Sequence, residues 1–188
     1  MANRLLESIE ENPVIAAVKD FEGLEECLHT DVSIVFVLFG DICNIGEIVE
    51  KIKEAGKMAI VHVDLIVGLG GKEVSIDFIK KTTKTDGIIT TRQALIKHAK
   101  EVGLFTILRF FVIDSISLMN IEKQKNMVQP DIIEILPGVM PKIIKKISEI
   151  SSVPVIAGGL VTDKEDVIGA LSNGAFGISS TRKEVWGM

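Results

Sequence analysis

Short runs of apolar residues, many of them β-branched, recur along the whole chain and predict eight buried strands. Each run is almost continuously hydrophobic, which is typical of parallel strands that are covered on both faces. The predicted strands span residues 14–18, 33–39, 58–63, 87–90, 105–112, 132–136, 155–157 and 176–178.

The segments between these strands have helical spacing. Between the second and third strands, for example, Ile45, Ile48, Val49 and Ile52 recur with Lys and Glu between them, which is the pattern of a helix with one apolar face. Eight strand-then-helix units predict a compact (β/α)₈ TIM-like barrel, and the single domain is predicted to span residues 1–188. Such barrels usually need roughly 250 residues, so the loops and helices must be short.

The competing architecture is a doubly wound open sheet. That fold needs only five or six strands and places a GxGxxG fingerprint directly after its first strand. The residues that follow the first predicted strand here, from Lys19 to Phe21, contain no glycine. The pattern therefore favours the barrel.

Charge and cysteine content narrow the classes of function. Twenty-one Lys and Arg against 26 Asp and Glu give a net charge of −5, which argues against a protein that coats nucleic acid with its whole surface but leaves room for a local basic patch. Two cysteines outside any CxxC motif predict neither a disulfide framework nor a structural zinc site, and no other metal site is predicted. We therefore expect a protein of the reducing cytoplasm.

No membrane segment is expected. Glutamates at positions 7, 10 and 11 interrupt the N-terminal region, which a secretory signal would need to be apolar. The longest apolar stretch, residues 32–39, is far shorter than the roughly 20 residues that span a bilayer.

Several charged residues fall at or near the carboxyl ends of the predicted strands, where a (β/α)₈ barrel binds its ligand. They are Lys19, Asp64, Arg109 and Glu134. Arg109 and Glu134 lie inside predicted strands, and a charge buried there costs several kcal/mol unless it is paired or faces a wet cavity. Two interpretations stay open: the two residues pair with each other structurally, or they line a polar ligand pocket.

His62 lies in the third predicted strand, on the same face as Asp64 if the two-residue period of a strand continues that far. A single buried histidine is more often a hydrogen-bonded core residue than a catalytic base. We expect His62 to form hydrogen bonds, either structural ones or ones to a ligand.

Gly158 and Gly159 end the seventh strand, and Ser179, Ser180 and Thr181 follow the eighth. Many barrels bind phosphate between these two loops, because glycines let backbone N–H groups approach and the first turn of a short last helix offers unpaired donors. A simple glycine turn and a Ser/Thr helix cap would explain each half separately. Their coincidence after the two required strands predicts a phosphate site.

Four segments of the chain resemble a known family: FGDICNI (39–45), LRFF (108–111), EILPGVMPK (134–142) and AGGL (157–160). They are similar to the glycerol uptake operon antiterminator regulatory proteins, which respond to glycerol 3-phosphate, and the likeness runs from about Pro13 to Trp186. The resemblance implies a (β/α)₈-like barrel that binds glycerol 3-phosphate as its effector and then binds the leader mRNA of glycerol-utilisation genes. No further cofactor is implied.

With a phosphorylated polyol as the expected ligand, the glycine pair and Ser179, Ser180 and Thr181 suit its phosphate. Lys19, Asp64, Arg109 and Glu134 are then candidates for its hydroxyl groups. For RNA, the chain has no Tyr and one Trp, which argues against a stacking platform for bases. Phosphate contacts remain, and the lysine cluster Lys142, Lys145 and Lys146 is the candidate for them.

Two other functions stay open. The first is a small TIM-barrel enzyme, such as an aldolase, isomerase or phosphodiesterase that acts on a phosphorylated three-carbon substrate; it would need a nucleophile, a Schiff-base lysine or a metal cluster, and only Lys19 stands out, so we assign no catalytic residue. The second is a phosphate-binding domain without a signalling role. A homo-oligomer is compatible with any of the three.

Overall fold

The computed structural model describes the backbone of residues 2–188 and, outside positions 2–3, 122 and 124–126, their side chains. All eight predicted strands are present and parallel, and they form one closed barrel in the order β1 to β8. The strands are β1 (Val14–Val18), β2 (Ile34–Val37), β3 (Met58–His62), β4 (Gly87–Thr90), β5 (Phe105–Phe111), β6 (Ile132–Leu136), β7 (Val155–Gly158) and β8 (Gly177–Ser180).

A helix follows every strand, and one further helix precedes β1. The helices are α1 (Ala2–Glu11), α2 (Phe21–Leu28), α3 (Ile45–Glu54), α4 (Glu73–Thr82), α5 (Gln93–Glu101), α6 (Ser115–Val128), α7 (Pro141–Ile150), α8 (Lys164–Leu171) and α9 (Lys183–Trp186). The chain is therefore a single (β/α)₈ TIM-like barrel, as the alternation of its sequence predicts.

Alternate strand residues point into the barrel, as the two-residue period of a strand requires. On β1, for example, Ile15 and Ala17 belong to the interior cluster, whereas Val14, Ala16 and Val18 pack against the helices. The interior cluster is apolar and includes Phe36, Ile60, Ile89, Ile107, Ile132 and Ile156. This packed interior leaves room for polar groups only towards the ends of the barrel.

The amino-terminal end of the barrel is covered by α1, an element that the sequence analysis does not predict. Leu5 and Ile9 of this helix are buried and belong to the same cluster as the barrel interior. A Cβ on Gly177, the first residue of β8, would lie 2.9 Å from Ile9 Cγ2. The carboxyl end, or mouth, is therefore the end at which a ligand can enter.

The last strand differs from the prediction in one respect that affects the site. β8 begins at Gly177 and runs through Ser179 and Ser180, which pair with Ile15 and Ala16 of β1. The expectation that Ser179, Ser180 and Thr181 open the last helix is wrong, because closing the barrel requires the two serines as strand residues. The helix α9 starts only at Lys183.

Candidate functional site

An ion pair between two adjacent strands lies at the centre of the mouth. Arg109 of β5 stands directly opposite Glu134 of β6 in the strand register, and Arg109 Nε donates to Glu134 Oε2 at 2.6 Å. Glu134 is fully buried and Arg109 is 8% exposed. The two inward-facing charges thus compensate each other inside the barrel.

Two neighbouring strands complete the surroundings of this pair. Ser179 of β8 donates its hydroxyl hydrogen to Glu134 Oε1 at 2.6 Å. Between them, Gly158 of β7 leaves the necessary space, because a Cβ there would lie 2.4 Å from Ser179 Oγ and 2.6 Å from Glu134 Oε1. We call Arg109, Glu134, Gly158 and Ser179 the β5–β8 arc.

The guanidinium of Arg109 retains unused donors. Of its five N–H bonds, only the one at Nε has an acceptor among the described residues. The two terminal nitrogens are not fully buried. In the described part of the chain, the buried side-chain nitrogen and oxygen atoms that lack a partner are His62 Nδ1 and Ser148 Oγ. The terminal nitrogens of the guanidinium therefore reach the cavity that Arg109 lines, where an acceptor on a ligand could meet them.

This cavity has a volume of about 680 Å³. It is lined by Ala17, Lys19, Leu38, Arg109, Glu134, Leu136 and residues 159–162 and 179–184. Among them are four basic side chains (Lys19, Arg109, Arg182 and Lys183) and two acidic ones (Glu134 and Glu184). In a chain whose net charge is −5, the mouth cavity is locally positive and suits an anion.

The loop after β7 forms one wall of the cavity. Gly159 and Leu160 both adopt positive φ angles, 75° and 63°, a conformation that is uncommon for leucine. Leu160 is 71% exposed, so its side chain gains little from burial there. The backbone N–H groups of Leu160 and Val161 in this loop, and that of Thr181 after β8, have no acceptor among the described residues.

The loops after β7 and β8 are tied together by Ser180. Its hydroxyl donates to the carbonyl of Val161 at 2.7 Å and accepts from the N–H of Arg182 at 3.0 Å. The indole N–H of Trp186 in turn donates to the Ser180 carbonyl at 2.7 Å. Ser180 thus braces the loops, and its hydroxyl has already given its hydrogen to the protein.

Two predicted ligand residues, Gly158 and Asp64, are not in the lining of this cavity. Gly158 still lies against Glu134 and Ser179, whereas Asp64 belongs to another part of the mouth. β3 ends at His62, and Val63–Leu65 form a 3₁₀ turn, so the strand alternation stops before Asp64. Its carboxylate accepts hydrogen bonds from Thr90 Oγ1 at 2.9 Å and from the Thr91 N–H at 2.7 Å, and Arg92 Nε lies 3.5 Å away. We call Asp64, Thr90, Thr91 and Arg92 the β3–β4 arc.

His62 lies inside the barrel, close enough to Arg109 to feel its charge. It is 3% exposed, and its Nδ1 has no partner among the described residues. Burial, and then the positive charge of Arg109, lower the pKa of the imidazole to about 4. His62 is therefore neutral near pH 7 and adds no charge to the site.

The predicted RNA-binding lysines lie outside the cavity. Lys142, Lys145 and Lys146 are exposed on α7. The loop that joins β6 to this helix contacts the cavity wall, because the Gly138 N–H donates to the Gly159 carbonyl at 2.9 Å. A short path of packed backbone thus leads from the cavity to the lysine cluster.

Some residues of the cavity are not among those predicted from the sequence. Arg182 is a cavity residue, and its position shortly after a strand that ends at the mouth could have identified it. Leu160 has no such signal, because its left-handed backbone cannot be recognised from a leucine in the sequence.

In the described part of the chain, no three His, Cys, Asp or Glu side chains are grouped so that they could hold a metal ion. None of the helices within residues 2–188 has the length and hydropathy to cross a membrane.

Comparisons with known proteins point to one family. The model of the family described as glycerol-3-phosphate responsive antiterminator matches residues 14–186. The Escherichia coli (strain K12) protein YgcP, described as uncharacterized, is 48% identical over 182 residues, which cover 97% of this chain and 95% of YgcP.

Two solved structures of related proteins agree with this match. The glycerol uptake operon antiterminator regulatory protein of Listeria monocytogenes str. 4b F2365 is 32% identical, with a TM-score of 0.90 over 93% of this chain and 95% of that one. A glycerol uptake operon antiterminator-related protein of Thermotoga maritima MSB8 is 34% identical, with a TM-score of 0.83 over 93% of this chain and 98% of that one.

Proposed function

We propose that this chain, which belongs to the glycerol-3-phosphate responsive antiterminator family, binds glycerol 3-phosphate in the mouth cavity and, when loaded, binds the leader mRNA of glycerol-utilisation genes in the cytoplasm. The main support for ligand binding is the state of the Arg109 side chain. It is 8% exposed, it is already neutralised by Glu134, and its terminal nitrogens still reach the cavity without an acceptor. Such donors favour a ligand that brings oxygen atoms to them.

The charges of the cavity support a phosphate ester as the ligand. A phosphate monoester carries roughly −1.5 to −2 charges near pH 7, and the cavity lining has four basic and two acidic side chains. Lys183 pairs with Glu22 and Glu26 of α2, and Arg109 pairs with Glu134. Lys19 and Arg182 therefore supply the positive charge for the ligand, and Arg109 supplies hydrogen-bond donors.

We assign the phosphate group to the loops after β7 and β8. The N–H groups of Leu160, Val161 and Thr181 lack acceptors among the described residues, and backbone donors beside glycine are common in phosphate sites. The hydroxyl of Thr181 borders the same space, whereas Ser179 has already donated its hydroxyl hydrogen to Glu134. The glycerol hydroxyls then accept hydrogen bonds from Arg109 and Lys19, and Asp64 makes no ligand contact.

The RNA half of the proposal rests on the route from the cavity to α7. Ligand bound between Glu134 and Gly159 would bear on the loop whose Gly138 N–H holds the Gly159 carbonyl, and this loop leads directly into the helix with Lys142, Lys145 and Lys146. A ligand strengthens RNA binding only if it prefers the RNA-competent conformation, and a tenfold effect requires about 1.4 kcal/mol of preference.

Calorimetry with the purified protein tests the ligand half. We expect glycerol 3-phosphate to bind, glycerol to bind far more weakly, and the Gly159→Asp variant to lose affinity at least tenfold through bulk and like charge. Gly56→Asp is a matched control, because Gly56 has the same φ of 75° in an exposed turn with no atom within 4 Å of its would-be Cβ. A folded Gly159→Asp protein with undiminished affinity would remove this loop from the site.

Gel-shift titrations with leader RNA test the RNA half, at two salt concentrations and with and without glycerol 3-phosphate. Each phosphate contact adds a slope of roughly −0.7 to −0.9 in log K against log salt, so replacing Lys142, Lys145 and Lys146 by Ala should flatten the slope and weaken binding. Lys80, Lys81 and Lys97 replaced together by Ala provide a charge-matched control on α4 and α5, where all three are exposed. Equal RNA affinity with and without ligand would refute the gating.

The proposed protein is a regulator without catalysis. Incubating the purified protein with glycerol 3-phosphate, with and without leader RNA, and then recording NMR spectra of the small molecules distinguishes a regulator from a barrel enzyme. We expect glycerol 3-phosphate to be recovered unchanged. Turnover that depends on the protein, and that disappears when Lys19 is replaced by Met, would favour the enzyme instead.

A further inference from the structure

The helix α6 is apolar on two faces. Leu118, Ile121 and Val128 pack inward against the barrel, as expected for a helix of this fold. On the outside, however, Ile116, Met119 and Met127 are 61%, 65% and 69% exposed. The outer face of a surface helix is ordinarily polar, so this face of α6 has the composition of a surface that is covered by something else.

The same apolar surface continues from α6 towards the mouth. Phe111, the last residue of β5, is 52% exposed, and Ile113, in the short connection to the helix, is 87% exposed. We call Phe111, Ile113, Ile116, Met119 and Met127 the α6 patch. It differs from the single exposed apolar residues elsewhere, such as Ile168 on α8, because all five of its residues come from one segment of 17 positions, 111–127.

We propose that the α6 patch is the interface through which two copies of this chain associate around a two-fold axis. The area of the patch supports a second copy. Five side chains of this size, 52–87% exposed, present roughly 500–600 Å² of apolar surface, which is at the upper end for a monomer. A standard interface buries about 800 Å² per partner, of which roughly 55–65% is apolar, so the patch supplies the apolar area that such a dimer requires.

The chemistry of the patch also favours a second copy over other occupants. A two-fold interface sets the same surface against itself, and a largely apolar patch is complementary to itself with little matching of charges. RNA would need several cations on this surface. Among the α6 side chains that the structure describes, Lys123 is the charged one on the outward face. Methionine adapts its shape to a partner at little cost, which suits the centre of such an interface.

Sedimentation velocity over a range of concentrations tests the proposal on the free protein. We expect wild type to form a species of twice the 20.5 kDa chain mass, and Ile113→Asp to weaken this association at least tenfold, because two carboxylates would be buried across the two-fold axis. Ile168→Asp is the matched control: Ile168 is also an exposed isoleucine, 52% exposed, but lies on α8, and its replacement should leave the dimer intact.

Two results of this sedimentation experiment would contradict the proposed dimer. A wild type that is monomeric at every concentration overturns the proposal, as does an Ile113→Asp protein that dimerises as tightly as wild type. Ile113 lies outside the helix and is 87% exposed, so its replacement should not unfold the chain. If circular dichroism nevertheless shows unfolding, Met119→Lys provides the same comparison from within α6. The experiment uses neither ligand nor RNA, so its result is independent of the proposed function.

Discussion

The barrel mouth carries two clusters of polar side chains, the β3–β4 arc and the β5–β8 arc, which differ in burial and in hydrogen bonds still to be made. In the first, Thr90 and Thr91 donate to Asp64, and the Arg92 side chain is 53% exposed. In the second, Glu134 is fully buried between Arg109 and Ser179, and Arg109 keeps free donors. Polar residues at strand ends are therefore available to a ligand only where neighbouring groups leave donors unused.

The difference has a simple structural cause. Arg109 and Glu134 occupy inward positions within regular strands, where their polar groups can reach each other and the cavity. Asp64 belongs to a 3₁₀ turn after β3, which brings its carboxylate beside the backbone at the end of β4. The polar groups of the β3–β4 arc make their hydrogen bonds with one another. Arg109 and Glu134 depend on each other and on what the cavity contains.

The largest expected effect comes from removing the buried charge of the β5–β8 arc. Glu134→Gln leaves the Arg109 charge buried without its partner, and we expect a loss of about 3–5 kcal/mol in the free energy of unfolding. Asp64→Asn on the β3–β4 arc should cost less, about 1–2 kcal/mol. The new amide nitrogen cannot accept two of the four interactions of the carboxylate, but the Arg92 side chain that loses its partner is half exposed. Urea unfolding of both variants measures the contrast.

A double variant separates structure from ligand binding in that experiment. Arg109→Met with Glu134→Leu removes both charges, and such replacements of a buried pair are often neutral for stability. We expect a stable barrel that no longer binds glycerol 3-phosphate. If the double variant binds the ligand as tightly as wild type, the ion pair has only a structural role.

The second effect concerns His62 on β3, which is buried inside the barrel and is influenced by the charge of Arg109 in the β5–β8 arc. His62 has its pKa lowered to about 4 in the folded protein, against about 6.5 in an unfolded chain. The unfolded state therefore binds more protons between these values, and stability falls as pH drops from about 6.5 towards 4, by about 3 kcal/mol in total. His62→Gln should flatten this decline in urea unfolding followed over pH, and replacing the exposed His29 should not; a decline unchanged in His62→Gln would contradict the assignment.

The smallest effect compares two glycines. A Cβ on Gly158 would lie 2.4 Å from Ser179 Oγ, and one on Gly71 would lie 1.2 Å from Arg92 Nη1. Although the second contact is shorter, Arg92 is half exposed and can swing into solvent, so we expect Gly71→Ala to cost less than about 0.5 kcal/mol. Gly158→Ala is enclosed by buried groups and should cost about 1–3 kcal/mol. Thermal unfolding that ranks the two in the opposite order would show that the arcs do not differ in rigidity.

Much of the barrel was predictable because its strands are short and almost wholly apolar. The bounds of β1, β4 and β6 match the predicted residues, since polar residues or turn formers flank each of these runs. The helix α1 was missed, although Leu5, Leu6 and Ile9 have helical spacing, because nothing in eight complete strand–helix units calls for another helix. The extent of β8 depends on pairing with β1, which is a contact between opposite ends of the chain.

The site was predictable as a set of candidates but not as a geometry. The sequence left two readings of Arg109 and Glu134 open, and the structure combines them: the residues pair with each other and both line the cavity. The separation of Asp64 from them depends on where β3 stops, which a hydrophobic run does not define. The role of Ser180 as a brace likewise depends on the position of Val161 in another loop.

The closure of the barrel between β1 and β8 has a consequence for the order of events during protein synthesis. Lys19 leaves the ribosome well before Ser179, which holds Glu134, and well before Trp186, which holds Ser180. A nascent chain therefore has no complete cavity until its final strand has paired with its first. If the cavity binds glycerol 3-phosphate as proposed, the ligand can stabilise the closed barrel during translation but cannot guide the earlier stages of folding.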